Sequence, residues 1–213
     1  NNKSFFCRSA IGKDSCNGLI GQAWTIEGLM SAYNELNIEN ARNVALEVFF
    51  QHPFDYEKGI WKRVEVDGHT LDFDFTFNHQ LWFAAIATLF KDKKVDKMVK
   101  RFLDVVGQNV EIYSDGILYH ATPVVKYNFF KLRDMPGYLK EILRGFQKHK
   151  IKNSLYIKSV GYHSFNLYAY AILKKKFPNH NFWNSDTFLK MISITNNKAF
   201  LESINVTTEN CVT

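Results

Sequence analysis

The sequence predicts an all-α fold, either an α/α toroid or an open arc of one, with short β-hairpins inserted between helices. Three observations lead there. Apolar residues recur at helical spacing over much of the chain. Three predicted helices, beginning near Gly18, Phe77 and Val160, are apolar enough to be buried, and each is followed by a more polar one. Two short stretches alternate apolar and polar residues around Asp-Gly turns. Buried helices alternating with amphipathic ones make an inner row around a cavity and an outer row against water. The 213 residues, 46% apolar, suffice for one sizeable core, so a single domain over 1–213 is expected. A closed toroid of six helical hairpins needs about 350 residues. The chain is therefore expected to be the later part of a toroid, an open arc, or one completed by another copy. It begins with Asn rather than Met, which points to processing or a fragment.

Residues 1–16 are polar and irregular. The run GLIGQAWTIEGLMSAYNEL then places Leu19, Ala23, Ile26, Met30 and Tyr33 on one helical face. Its glycines weaken a helix by up to about 1 kcal/mol each, so close packing or close ligand approach should compensate. A second helix is predicted over 40–51 and ends at His52-Pro53. Residues 59–75 alternate on both sides of Asp67-Gly68 and predict a hairpin, with Asp72 and Asp74 on one strand face. Helices follow over 77–90, nearly free of charge, and over 92–106, lysine-faced. A second hairpin is expected over 110–121 around Ser114-Asp115-Gly116, then a loop over 122–134 and a helix over 136–149. The apolar helix over 160–174 opens with Tyr162-His163, and Pro178 stops it. Short helices over 184–194 and 198–204 close the chain.

The net charge is +6, but the lysines are scattered over predicted helix faces and ends. No Arg-rich or RNP-like motif supports a nucleic-acid partner. No apolar run reaches the ~20 residues of a membrane span. Cys7, Cys16 and Cys211 form no CxxC pair, so a disulfide framework is not expected and a reducing, cytoplasmic compartment is. HxH, HExxH, GxSxG, Walker and GxGxxG spacings are all missing. Neither metal nor cofactor is expected.

The polar residues at the starts of the three buried helices are the candidate site. On the first these are Gln22, Trp24 and Glu27; at the second, Asp72, Asp74, Asn78 and His79; on the third, Tyr162, His163 and Asn166. Tyr119 and His120, after the second hairpin, would reach the same pocket. Histidine titrates near neutral pH without large tuning, which suits proton transfer next to a carbonyl. His79 and His163 are therefore the candidate acid/base pair. The remaining residues would hold hydroxyls or orient the histidines. The competing reading makes Asp74 or Thr76 a helix cap and the histidines satisfied core residues.

Three runs, NGLIGQAWTIEGL, HPFDYEKGIWKRVEVDGHTLDFDFTFNHQLWFAA and YHSFNLYAYAI, resemble proteins encoded in archaeal and bacterial glycan-assembly gene clusters. Those proteins in turn resemble the (α/α)6-toroid carbohydrate enzymes: sugar 2-epimerases, uronate C5-epimerases and unsaturated glycuronyl hydrolases. The resemblance implies a toroid fold and a sugar or glycan substrate. It implies an isomerase or epimerase of a sugar or uronic acid. Sugar 2-epimerases use two histidines across the cavity, and His79 and His163 would be their counterparts by role. A glycoside hydrolase or lyase on the same scaffold would need paired carboxylates, with Glu27 and Asp72 or Asp74 as the visible pair. A non-catalytic glycan-binding protein is the third possibility. A homo-oligomer would complete a short arc.

Overall fold

The computed structural model of the chain describes residues 3–123 and 148–205. It is mostly helical, with one small antiparallel sheet. The order is α1 (Gly18–Leu36), α2 (Glu39–Gln51), β1 (Phe54–Asp55), β2 (Ile60–Val64), β3 (Thr70–Phe73), α3 (Phe77–Ala87), α4 (Lys93–Asn109), α5 (Lys148–Lys176), α6 (Asp186–Ser193) and α7 (Lys198–Asn205). The sheet runs β1-β2-β3. The third strand, β1, is only two residues long and left no alternation to read.

Local chemistry sets the element ends. Asn37 adopts the left-handed conformation, φ 56°, and its N–H returns to the Ala32 carbonyl, closing α1. Asp92 caps α4 by accepting from the Lys94 and Val95 N–H groups, and Ser185 caps α6 through Phe188. Gly68, at φ 96°, turns the β2–β3 hairpin, with its N–H bonded to the Glu65 carbonyl. Gly116 does the same for the second hairpin, of which the structure keeps only the Ile112–Leu118 bridge. A methyl group on Gly116 would lie 2.6 Å from the Lys190 carbonyl, so this turn also seats α6.

α3 is the centre of the molecule. It packs against α1, α4 and α5, while α2 packs on α1. Every residue of α3 is buried except His79. Around it, Phe49, Trp61, Phe83 and Phe90 form an aromatic core, with Phe49 and Phe83 stacked at 5.0 Å.

One expected boundary is wrong. The helix predicted over 160–174 begins at Lys148 and runs 29 residues. Tyr162 and His163 therefore lie in mid-helix, not at an opening end. Residues 148–159 contain no Pro or Gly to break the helix, and Leu155, Ser159 and Val160 continue its buried face. The loop expected over 122–134 and the helix expected over 136–149 lie almost wholly outside the described residues.

His52 ends α2 inside the core, 1% exposed, with Nδ1–H donating to the Lys62 carbonyl at 3.2 Å. Burial holds its pKa down to about 4, against smaller upward pulls from that hydrogen bond and from Asp74. The folded protein thus refuses a proton that the unfolded chain accepts near pH 6.5. This stability is present above pH 6.5 and drains away as pH falls toward 4. Thermal unfolding at pH 8 and pH 5 should show a lower midpoint at pH 5, with about 2 kcal/mol of the loss due to His52. His52→Asn should flatten that dependence.

Candidate functional site

The site is built where α1 begins and β3 hands over to α3. Asp74, just past the end of β3, turns inward and is 5% exposed. Its Oδ2 accepts the Leu19 N–H at 2.9 Å and the His79 Nδ1–H at 2.9 Å, and its Oδ1 accepts the Thr76 N–H at 3.1 Å. Its carbonyl accepts from the Gln80 side chain, which also brackets Trp61 by bonding both its N–H and its carbonyl. One carboxylate thus caps α1, steers the chain into α3 and orients His79. Burial alone would raise its pKa. The His79 charge and hydrogen bond, Arg63 and the Leu19 N–H outweigh that and keep it ionised well below the usual carboxylate range.

Space for this arrangement comes from Gly18. Its φ of +59° and its missing side chain are both required, because a Cβ would lie 2.4 Å from Asp74 Oδ2 and 2.9 Å from His79 Nδ1. A second carboxylate, Asp14, accepts the Gly18 N–H at 2.8 Å and pairs with Arg8 and Arg63. The first amides of α1 are therefore met by two carboxylates, the favourable charge for a helix N-terminus. Sequence reading missed Asp14 and Arg63. The signal for Asp14 was an aspartate shortly before a glycine-started helix.

His79 keeps 22% of its side chain exposed. Nδ1 donates to Asp74, and Nε2 has no partner among the described residues. His120 is brought alongside by the second hairpin: its carbonyl accepts the Phe77 N–H, and Thr122 bonds Phe75. The His120 ring stacks on Tyr162 of α5 at 5.3 Å and 29°. Its Nδ1 is buried without a partner. Burial first, then the nearby His79 and Lys158 charges, lower its pKa to about 4, so it is a neutral imidazole. In its neutral form, an aspartate-oriented histidine has a fixed tautomer whose Nε2 can accept a proton.

The other expected residues separate from this cluster. His163 is fully buried: Nδ1 accepts the Leu118 N–H at 3.1 Å and Nε2 donates to the Met191 carbonyl at 3.0 Å. Both ring nitrogens are thus engaged in pinning α5 to the second hairpin and α6, and the expected pairing with His79 across a cavity is corrected on that ground. Gln22 spends its amide on the N-terminal arm, bonding Phe5 N–H, Phe5 carbonyl and Cys16 carbonyl. Asp72 accepts the N–H of its neighbour Phe73 at 2.8 Å. Asn78 and Asn166 are buried, each with an unpartnered Oδ1. Trp24 is 43% exposed, and partial burial raises the Glu27 pKa. Tyr119 packs on Tyr113 at 5.2 Å. Two further His–Asp pairs lie elsewhere: His69 with Asp67 at 2.7 Å in the hairpin turn, and His180 with Asp104 at 3.0 Å in a groove beside α4, where Lys100 shares the carboxylate. Among the described residues, no group of three or more His, Cys, Asp or Glu is placed to hold a metal ion.

Gly18→Ala should lower stability by about 2 kcal/mol or more, combining left-handed strain with the clash on Asp74. Gly28→Ala, in the same helix with open space around it, should instead raise stability by up to about 1 kcal/mol. Denaturant midpoints of the two variants check this contrast.

Two comparisons found nothing: no family model and no solved structure matches the chain. Among curated proteins, the chain is 38% identical over 207 residues to archaeal glycosylation protein Q of Haloferax volcanii. The match covers 93% of this chain and 55% of that relative, so the chain spans about half the length of the protein it resembles.

Proposed function

We propose that the chain is a carbohydrate-active enzyme of glycan biosynthesis, an isomerase or epimerase of a sugar or uronic acid, with His79 as its proton-transfer base. The observation that carries the proposal is the Asp74–His79 hydrogen bond, which engages Nδ1 of a partly exposed ring and leaves Nε2 without a partner among the described residues, beside a second, neutral histidine. The relative's name, archaeal glycosylation protein Q, supports the biosynthetic setting. In this reading His79 Nε2 takes a proton from the carbon next to a sugar carbonyl, and Asp74 stabilises the resulting imidazolium. The His79 imidazolium then returns the proton to the neighbouring carbon, the isomerase form of this reading, and neutral His120, stacked on Tyr162, stands beside the reacting carbon without serving as the acid.

The remaining parts of the reading follow from the same frame. α1, α3 and α5 are proposed as the inner row of an α/α arc, with α2 and α4 as outer helices; the helix contacts support this arrangement. The rest of a longer chain or another copy would complete the arc. Cytoplasmic action is part of the proposal, supported by the free thiols of Cys7 and Cys16. A hydrolase would need two carboxylates free to act. Of the pairings of Glu27 with Asp72 or Asp74, the one with Asp74 is disfavoured, because Asp74 already holds three donors.

The test is proton exchange. In deuterated water, with a panel of hexoses, uronic acids and their nucleotide derivatives, NMR should show deuterium entering one ring carbon. His79→Ala should lower that rate by about 10²–10⁴-fold with the fold retained, and Asp74→Asn should lower it and cost stability. His163→Asn should cost about 1–3 kcal/mol of stability and spare exchange in the molecules that remain folded. Unchanged exchange in His79→Ala would sink the proposal.

A further inference from the structure

α3 and α5 pack against each other, and Tyr162 of α5 meets His120 beside the site. Trp82 stands three residues beyond His79 on α3, and Phe165 and Tyr168 stand three and six beyond Tyr162 on α5, so each helix carries its aromatics along one side. Phe165 and Tyr168 both lean on Trp82, with centroids at 5.6 and 5.7 Å and tilts of 46° and 47°. Trp82 is 3% exposed, yet Phe165 is 40% and Tyr168 58% exposed. Two large rings are thus held in set orientations by a buried third and left open to solvent. The strip from Tyr162 to Tyr168 covers about 9 Å of helix at 1.5 Å per residue, room for about two linked sugar rings.

The occupant must suit flat, oriented aromatic faces beside a polar site. The apolar C–H face of a pyranose stacks on such rings, while its hydroxyls keep their water or reach polar groups at the edge. Lys158, Tyr162 and His120 supply polar groups at the end nearer His79. Tyr162 meets the site through His120 and lies on the same stretch of helix as Phe165 and Tyr168. We infer that Phe165 and Tyr168, seated on Trp82, form a stacking subsite for further sugar residues, so that the protein binds a glycan chain more tightly than a free monosaccharide. This rests on the carbohydrate reading of the His79 site.

The experiment measures binding of homologous mono- to tetrasaccharides of glucose, mannose and galacturonic acid, by calorimetry and tryptophan fluorescence. Wild-type protein is compared with Phe165→Ala, Tyr168→Ala and the double variant. Both residues are exposed, so folding should survive, and circular dichroism checks it. In at least one series, wild-type affinity should rise about tenfold from mono- to trisaccharide. The double variant should lose most of that gain, and His79→Ala should keep it. Affinity independent of length in every series, or an equal gain in the double variant, overturns the subsite. A wild-type dimer in sedimentation that the double variant dissociates would assign the strip to a second copy and also overturn it. Proton exchange on monosaccharides reports separately on His79 and should survive in the double variant, so the two readings can fail independently.

Discussion

The carboxylate of Asp74 is the interaction on which the rest of the structure depends. It takes N–H donors from the first turn of α1, from the turn into α3 and from the His79 ring. A buried carboxylate is costly unless its lone pairs are used. Here the donors satisfy them, and Arg63 adds charge from one side. Because the donors come from segments more than fifty residues apart in sequence, one residue fixes how the first helix meets the central one. Gly18 is the steric counterpart: the close approach exists only because that position has no side chain.

Two buried glutamines do a related job. Gln22 in α1 and Gln80 in α3 each offer an amide that pairs with a peptide group as another strand would. Gln22 holds the N-terminal arm, and Gln80 holds β2 together with the carbonyl of Asp74. Polar residues on otherwise apolar helices thus join irregular chain to the core without leaving its N–H and C=O groups unpaired.

The sequence made the local structure readable and left the polar partnerships hidden. Asp67-Gly68, the charge-free run after Phe77 and the Asp92 cap each carry their cause within a few residues, and the elements formed where expected. The start of α5 was missed because apolarity marks where a helix is buried, and its polar first turns showed no such mark. His79 and His163 looked equivalent, each near the presumed mouth of an apolar helix. Their difference lies in residues distant in sequence: Asp74 takes one nitrogen of His79, whereas Leu118 and Met191 take both of His163. His120 ranked below them because nothing local announces that its backbone caps α3 and its ring meets Tyr162.

One oxygen, Asp74 Oδ2, serves both the Leu19 amide and the His79 ring. The two donors meet at one atom, so the position of the ring and the seating of a 19-residue helix are tied together. A shift of either one is felt by the other. The first helix and the histidine form a single thermodynamic unit, joined by one atom.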